Sequence, residues 1–584
     1  MKKFITLSVL FLSLPILAAA QFSINENIFI GENGTLHTDL DTRVLIGNAL
    51  INDSGTLSVG TDTDFILSDQ SILLNRGVVQ GDITFEKSIN SPDFENTEPD
   101  GRWLALSSPA GGNYTGNEGL LRNLWTQGFP GADYEDTNFD PNVVEFTNET
   151  GNRHCFEEPD ENWCAPETNS LTAGQGFFVY LFENKVPGDN STAVDFTEPL
   201  SIMGKNKTFD GATIHTFPNL TAEGEGWNFL GNQFGAPLDW SSSDWSKNQL
   251  TEFAYIWDPE EKQYLVTSDD GSGNTVLNEP ILAPFQAFWV KTTDGATSPE
   301  LLMTNGVFTT ADDNREYFKE QEIPVASLSL DIGDYRSKTA FRFGDQYETG
   351  FNDDDAHFLT PMAHSFAYLY TYNDGNPTYL KSLPETIESK IEMPLYAGGF
   401  ENLAPYSGEA TIKMEGFGFF SQEWEVALYD HRNGTVTDLT QESEYRFTIR
   451  PESQQKVESL NRLMKPGTPK FKSAETESPF TLVIDPNPGL DEIADLPTNF
   501  ALQQNYPNPF NPTTVISYEL PQQSSVQLRV YDMSGRQVAT LVNEQVSAGV
   551  HEVNFDASAL SSGVYMYRLQ AGGQIITKKL TLIK

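Results

Sequence analysis

From residue 323 to 485 apolar and polar positions alternate with period two, in runs such as ASLSLDI, KTAFRFG, FAYLYTY, ATIKMEG, WEVALYD, YRFTIR and FTLVID. Successive side chains of a strand point to opposite faces, so each run predicts a half-buried strand. Turn signals such as Asn373-Asp374-Gly375 and Arg432-Asn433-Gly434 separate several of them, and a β-sandwich is expected. A polar, locally basic insertion near 452–478 predicts a mobile loop, and the Pro- and Asp-rich residues 486–498 a linker.

Two other regions repeat themselves. Asn33-Gly34-Thr35-Leu36 returns as Ser54-Gly55-Thr56-Leu57 and as Arg76-Gly77-Val78-Val79, at steps of 21 and 22 residues, and DTRVLIGN (41–48) is echoed by DTDFILSD (62–69). Short strands at that period suit a stacked coil, each turn burying its apolar residues on the next; a β-meander is the alternative. A β-helix-like cap is therefore predicted over 21–94. Over 95–300, GRWLALSSP (101–109) is matched by GWNFLGNQF (226–234), and AGQGFFVYLF (173–182) by APFQAFWVKT (283–292). No helical stripe lies between them, so two copies of an antiparallel, aromatic-rich β unit are expected.

The C-terminal 79 residues begin with YPNPFNPTTVISYELP (506–521). Its prolines cannot pair inside a sheet, whereas Ile516, Tyr518 and Leu520 alternate as in a strand. Five further strand candidates follow, enough for two small facing sheets. The predicted fold is all-β and multidomain.

Composition narrows the setting. Residues 1–20 join Lys2 and Lys3 to an apolar run and Ala18-Ala19-Ala20, the pattern of a secretory signal peptide. No second apolar segment of membrane-spanning length follows, so no integral membrane segment is expected after its removal. Asp and Glu number 82 against 36 Lys and Arg, a net charge of −46, which argues against nucleic acid as a partner. The two cysteines, Cys155 and Cys164, close a short loop in a chain bound for an oxidising compartment, and a disulfide is expected. A metal site with His154 lacks both CxxC spacing and a fourth ligand.

LQQNYPNPFNPTTVISYELP, VYDMSGRQVATLV, AGVHEVNFDASALSSGVYMYRL and the terminal KKLTLIK together resemble the type A C-terminal sorting domain of the type IX secretion system of certain Gram-negative bacteria. The resemblance covers residues 499–584 and implies an Ig-like β-sandwich. It also implies passage through the periplasm, recognition by outer-membrane secretion and processing machinery, and release or attachment at the outer cell surface. The matching positions are Tyr506, Pro507, Asn508, Pro509 and Phe510; Asp532, Gly535 and Arg536; Gly563, Val564 and Tyr565; and Lys578, Lys579 and Lys584. On physical grounds the prolines order the entry so that Phe510 plugs the sandwich. Gly535 and Gly563 free the backbone at turns, and the lysines guard an exposed edge.

Chemistry is sparse. HExxH, GxSxG, phosphate-loop and complete dinucleotide motifs are missing, and the seven histidines are scattered singly. No catalytic residue is assigned. Asp353, Asp354 and Asp355, followed by His357, offer oxygen ligands suited to calcium, as does the turn at 267–275, but without EF-hand register; a solvated turn is the simpler reading and no other cofactor is expected. Trp240 and Trp245 in DWSSSDW would stack on sugars if exposed and pack in a core if buried. The expected role is a non-catalytic secreted or surface protein of adhesion, matrix or envelope. Carbohydrate recognition of extracellular glycan is the alternative, and an unrecognised polysaccharide hydrolase a third.

Overall fold

The repeat step read from the N-terminal sequence is the step at which strands pair. The computed structural model describes short segments between residues 20 and 217. It continues over 220–259, 261–268, 281–309, 326–387, 389–402, 404–416, 424–450, 478–486, 500–521, 524–546, 549–572 and 574–583. Residues 1–19 of the expected signal peptide, His154, Cys155, the 269–275 turn, the expected loop and linker, and Lys584 lie outside the described residues. Thr35–Thr38, Thr56–Val59 and Val78–Gln80 stack in parallel, Thr35 beside Thr56 and Thr56 beside Val78. Arg43 lies beside Asp64 in a second parallel sheet, and Ile28–Ile30, Leu50–Asn52 and Leu73–Asn75 form a third. A meander would pair antiparallel; this is a three-sided coil. Its last turn is capped by antiparallel strands, Leu200–Gly204 on Thr84–Ile89 and Phe209–Asp210 on Val78–Gln80. Those strands come from inside the span assigned to the aromatic duplication. They cover parallel edges that would otherwise present unpaired backbone groups.

The duplication is equally literal. Arg102–Leu106, Phe177–Leu181, Val143–Phe146 and Trp163–Cys164 form one sheet in that order, and Trp227–Gly231, Ala287–Thr292, Leu250–Asp258 and Gln263–Ser268 form the other. Leu104 opposes Val179 in the first as Phe229 opposes Trp289 in the second, the register that the two aligned sequence pairs require. Phe178 stacks on Phe229 with ring centroids 4.8 Å apart, and Gly231 N donates to Gly174 O at 2.9 Å across the junction. A Cβ on Gly231 would lie 2.0 Å from Ser107 Cβ, so only glycine permits this approach.

The strands of 326–485 do not divide into two facing sheets, as the sequence pattern had suggested. They form one continuous sheet from Thr435–Asp438 at one end to Glu444–Ile449 at the other. Neighbours are antiparallel except Tyr335–Phe343 and Asn376–Leu383, which run parallel. Twist accumulating over so many strands curls the sheet around a single core that joins Leu328 and Ile412 to Val426 and Ile484. Tyr445 Oη donates to Asp430 Oδ2 at 2.7 Å, tying the two ends together. This body is fixed to the second aromatic unit by Arg342, whose buried guanidinium bonds Glu252 and, at 2.7 Å, the carbonyl of Asp354.

At the C-terminus Ala501–Leu502, Thr513–Leu520 and Gly549–Asp556 form one sheet. Gln537–Val546, Ser524–Asp532, Gly563–Ala571 and Gln574–Leu582 form the other, around one shared core. The two-residue strand Ala501–Leu502 carries no alternating run long enough to be seen in the sequence.

Candidate functional site

The Pro-rich entry does not span a gap between domains; it lies against the final strand. Tyr506 pairs with Val515, each backbone N–H bonding the other's carbonyl at 2.9 and 3.0 Å. Phe510 N donates to Thr581 O, and Asn508 Oδ1 accepts from Thr581 N at 2.8 Å. Proline cannot donate, so the segment relies on these flanking groups for its backbone bonds. Phe510 is buried in the sandwich core beside Phe555, as the sequence reading expected, whereas the Tyr506 ring is 81% exposed. The sequence reading missed Asn505. It is buried, its backbone N–H donates to Tyr567 Oη at 2.9 Å, and its side-chain amide donates to Pro507 O and Thr514 Oγ1.

Asp532, Gly535 and Arg536 converge on one turn. The Asp532 carboxylate accepts from Ser534 Oγ and N, Arg536 N and Arg536 Nε at 2.6–3.0 Å, and Gly535 takes φ = 84°. Those hydrogen bonds, Ser534's first, pull the carboxyl down to about 2. Gly563 differs from expectation: it opens the strand Gly563–Ala571 and is not among the positive-φ glycines. Val564 is half-buried beside it, and Tyr565 Oη donates to Ser561 O at 2.8 Å. Lys578 and Lys579 stand on an edge strand, and Lys579 O accepts from Gln504 Nε2.

Among the remaining predicted positions, Cys164 is buried and disulfide-bonded, and Cys155 is the chain's other cysteine. Trp240 has no exposed surface: its ring packs 5.9 Å from Phe288, its Nε1 donates to Glu252 O, and Lys247 lies over it. Trp245 is half-buried, 5.1 Å from Trp240, and bonds Asp239 O. Both indole N–H groups are turned inward, and Trp240 leaves no ring face open on which a sugar could stack. The three aspartates do not converge on one point. Asp355 is buried in an ion pair with Lys381 at 2.8 Å, Asp353 accepts from Asp294 N, and Asp354 uses its carbonyl to hold Arg342. Among the described residues no three His, Cys, Asp or Glu side chains converge as metal ligands.

The loop that holds these aspartates nevertheless borders a cleft of about 860 Å³ between the second aromatic unit and the curled sheet. Trp227, Thr251, Lys291 and Asp294 come from the former; Phe351, Asp353, His357 and Tyr372 come from the latter. His357 N donates to Tyr255 Oη across the seam at 3.0 Å. Burial, with help from the Lys291 charge, pushes the His357 imidazole down to about 3, so it is neutral at physiological pH. Burial raises the Asp353 carboxyl, and the Asp294 N–H partly offsets this. Such a site offers acceptors, one ammonium and half-buried rings. Its two walls lie over 50 residues apart in the chain, so no local motif announces it.

Among the described residues no helix is long and apolar enough to cross a membrane. No curated protein matches the chain. One similar solved structure is PorZ, described as an essential bacterial surface component of the type-IX secretion system of Porphyromonas gingivalis; it is 19% identical over 18% of this chain and 14% of that one, with a TM-score of 0.11. Another is β-glucuronidase 3 of Bacteroides uniformis, 13% identical over 30% and 27% of the chains, also with a TM-score of 0.11. Residues 504–584 match the family described as the secretion system C-terminal sorting domain, and this part of the chain is a type IX sorting domain.

Proposed function

We propose that the chain is a type IX cargo. Its first 20 residues direct it to the periplasm, its C-terminal domain presents it to the outer-membrane machinery, and residues 21–485 work outside the cell as a non-catalytic component of adhesion, matrix or envelope. The observation that carries the reading is the family match over 504–584. The seating of the Tyr506–Phe510 segment along the last strand supports it, since the motif is built into the fold and is not a loose tail. The non-catalytic part is supported by the repeated β units and by the sequence, which carries no HExxH, GxSxG or phosphate-loop motif.

Fusing residues 478–584 to a signal-peptide-bearing fluorescent reporter in a type IX-competent host tests the address. The reporter is expected on the cell surface or in the medium; confinement to the periplasm would overturn the reading.

A further inference from the structure

The three-sided coil is finished differently at its two ends. At the far end every face is closed. Leu200–Gly204 lies antiparallel on Thr84–Ile89, Phe209–Asp210 lies antiparallel on Val78–Gln80, and on the third face Leu73 N donates to Gly235 O at 2.9 Å. At the near end Ala20–Ile24, Ile28–Ile30 and Thr35–Thr38 each pair with the strand of the next turn, and no strand among the described residues lies on their outer edges. Each outer edge presents a row of backbone N–H and C=O groups able to pair with a further strand. Natural edges are blunted by charge, proline or a bulge. The sorting domain follows that rule, with Lys578 and Lys579 on its edge strand Gln574–Leu582. The first turn of the coil does not: AQFSI, IFI and TLHT hold no Asp, Glu, Lys, Arg or Pro, and their pairing with the next turn runs without a register shift.

These features select the occupant. A strand contributed by an unrelated protein covers one edge and leaves two bare, whereas a second copy of the same coil presents three edges at matching spacing. A two-fold axis perpendicular to the coil and through one face lays the edge strand of that face antiparallel on its own copy. The same rotation brings each of the other two edges onto the remaining edge of the partner, so all three are paired at once. Antiparallel addition is also how this coil is closed at its far end. Head-to-tail stacking is excluded because the far end is occupied, and the assembly stops at two copies. Charge points the same way, since chains with a net charge of −46 repel least where they meet through uncharged strands. We propose that the chain, from Gln21 onward, forms a two-fold dimer in which the first turns of two coils stack head to head. The proposal does not rest on the export reading: a chain that never left the cell would still pair.

The test uses purified residues 21–584 and two readouts. Light scattering across a concentration series should show the mass rising from one chain to two, with a dissociation constant of roughly 1–100 μM for so small a joint. Hydrogen exchange at high and low concentration should show added protection confined to peptides covering 21–38. His37 lies in register with Ser58, and Thr35 with Thr56; Thr56 and Ser58 are half-buried positions alternating with the buried Leu57 and Val59. Thr35→Lys/His37→Lys therefore guards one edge without entering the coil interior, and should raise the dissociation constant at least about tenfold. Should that variant lose its fold, the exchange comparison on the unsubstituted chain still decides. A chain that stays monomeric up to about 1 mM, protection falling elsewhere, or an unchanged constant in the folded variant would each overturn the proposal.

Discussion

Phe510 and Leu582 lie side by side in a parallel bridge, so the start of the sorting domain is sealed against its end. Phe510 N donates to Thr581 O at 3.0 Å and Ile583 N returns a bond to Phe510 O at 2.9 Å, while the ring is 2% exposed. Phe510→Ala removes a fully packed ring and leaves a cavity, at a cost of about 3–5 kcal/mol. Chemical denaturation of the full chain should show the transition of the C-terminal domain moved to lower denaturant, with the other transitions in place; a variant unchanged in this respect would show that the ring does not close the sandwich.

The turn at Asp532 should respond to acid. Its folded-state value of about 2 lies below the ordinary 3.8, so its contribution to stability is complete above about 4 and is lost as pH falls toward 2. His357 has the same sign: its imidazole sits near 3 against an ordinary 6.5, and stability falls as pH drops from about 6.5, because the unfolded chain takes up the proton first. His357→Phe should flatten the thermal-stability profile between about pH 6.5 and 4, and Asp532→Asn the profile below about 4. Equal slopes in wild type and variants would contradict these assignments.

Lys381 and Asp355 form an ion pair with side chains 1% and 0% exposed, under the floor of the cleft. Burial raises the Asp355 carboxyl, and the Lys381 charge and the amide of Ser382 counter it. Lys381→Met strands a buried carboxylate and should cost about 3–5 kcal/mol, whereas the double variant Lys381→Met/Asp355→Leu should recover most of that. Urea denaturation of the single and double variants gives the comparison; a double variant no more stable than the single one would show that the pair is not the source of the loss.

Much of this architecture is legible in the sequence because it depends on local repetition. The Thr35, Thr56 and Val78 steps give the coil its register, and Leu104 and Phe229 mark equivalent strands of the duplication. Continuity of the 326–485 sheet was not legible, since strands of a sandwich and of a curled sheet share one alternation and differ only in which edges meet. For Trp240 and Trp245 the sequence favours core packing but leaves a sugar platform open because their neighbours are polar; the chain turns both indole N–H groups inward. Asp353 was noticed as a ligand candidate. Its setting opposite Asp294 and near Thr251 and Tyr372 depends on packing between bodies far apart in the chain.

The central claim is that the last domain is an export address. Deleting residues 500–584 from the full-length gene in a type IX-competent host, and comparing the amounts of cell-associated, surface and medium protein by immunoblot, tests it most directly. The account predicts that the truncated chain accumulates inside the outer membrane and that its surface and medium forms disappear. Undiminished appearance of the truncated chain outside the cell would contradict it.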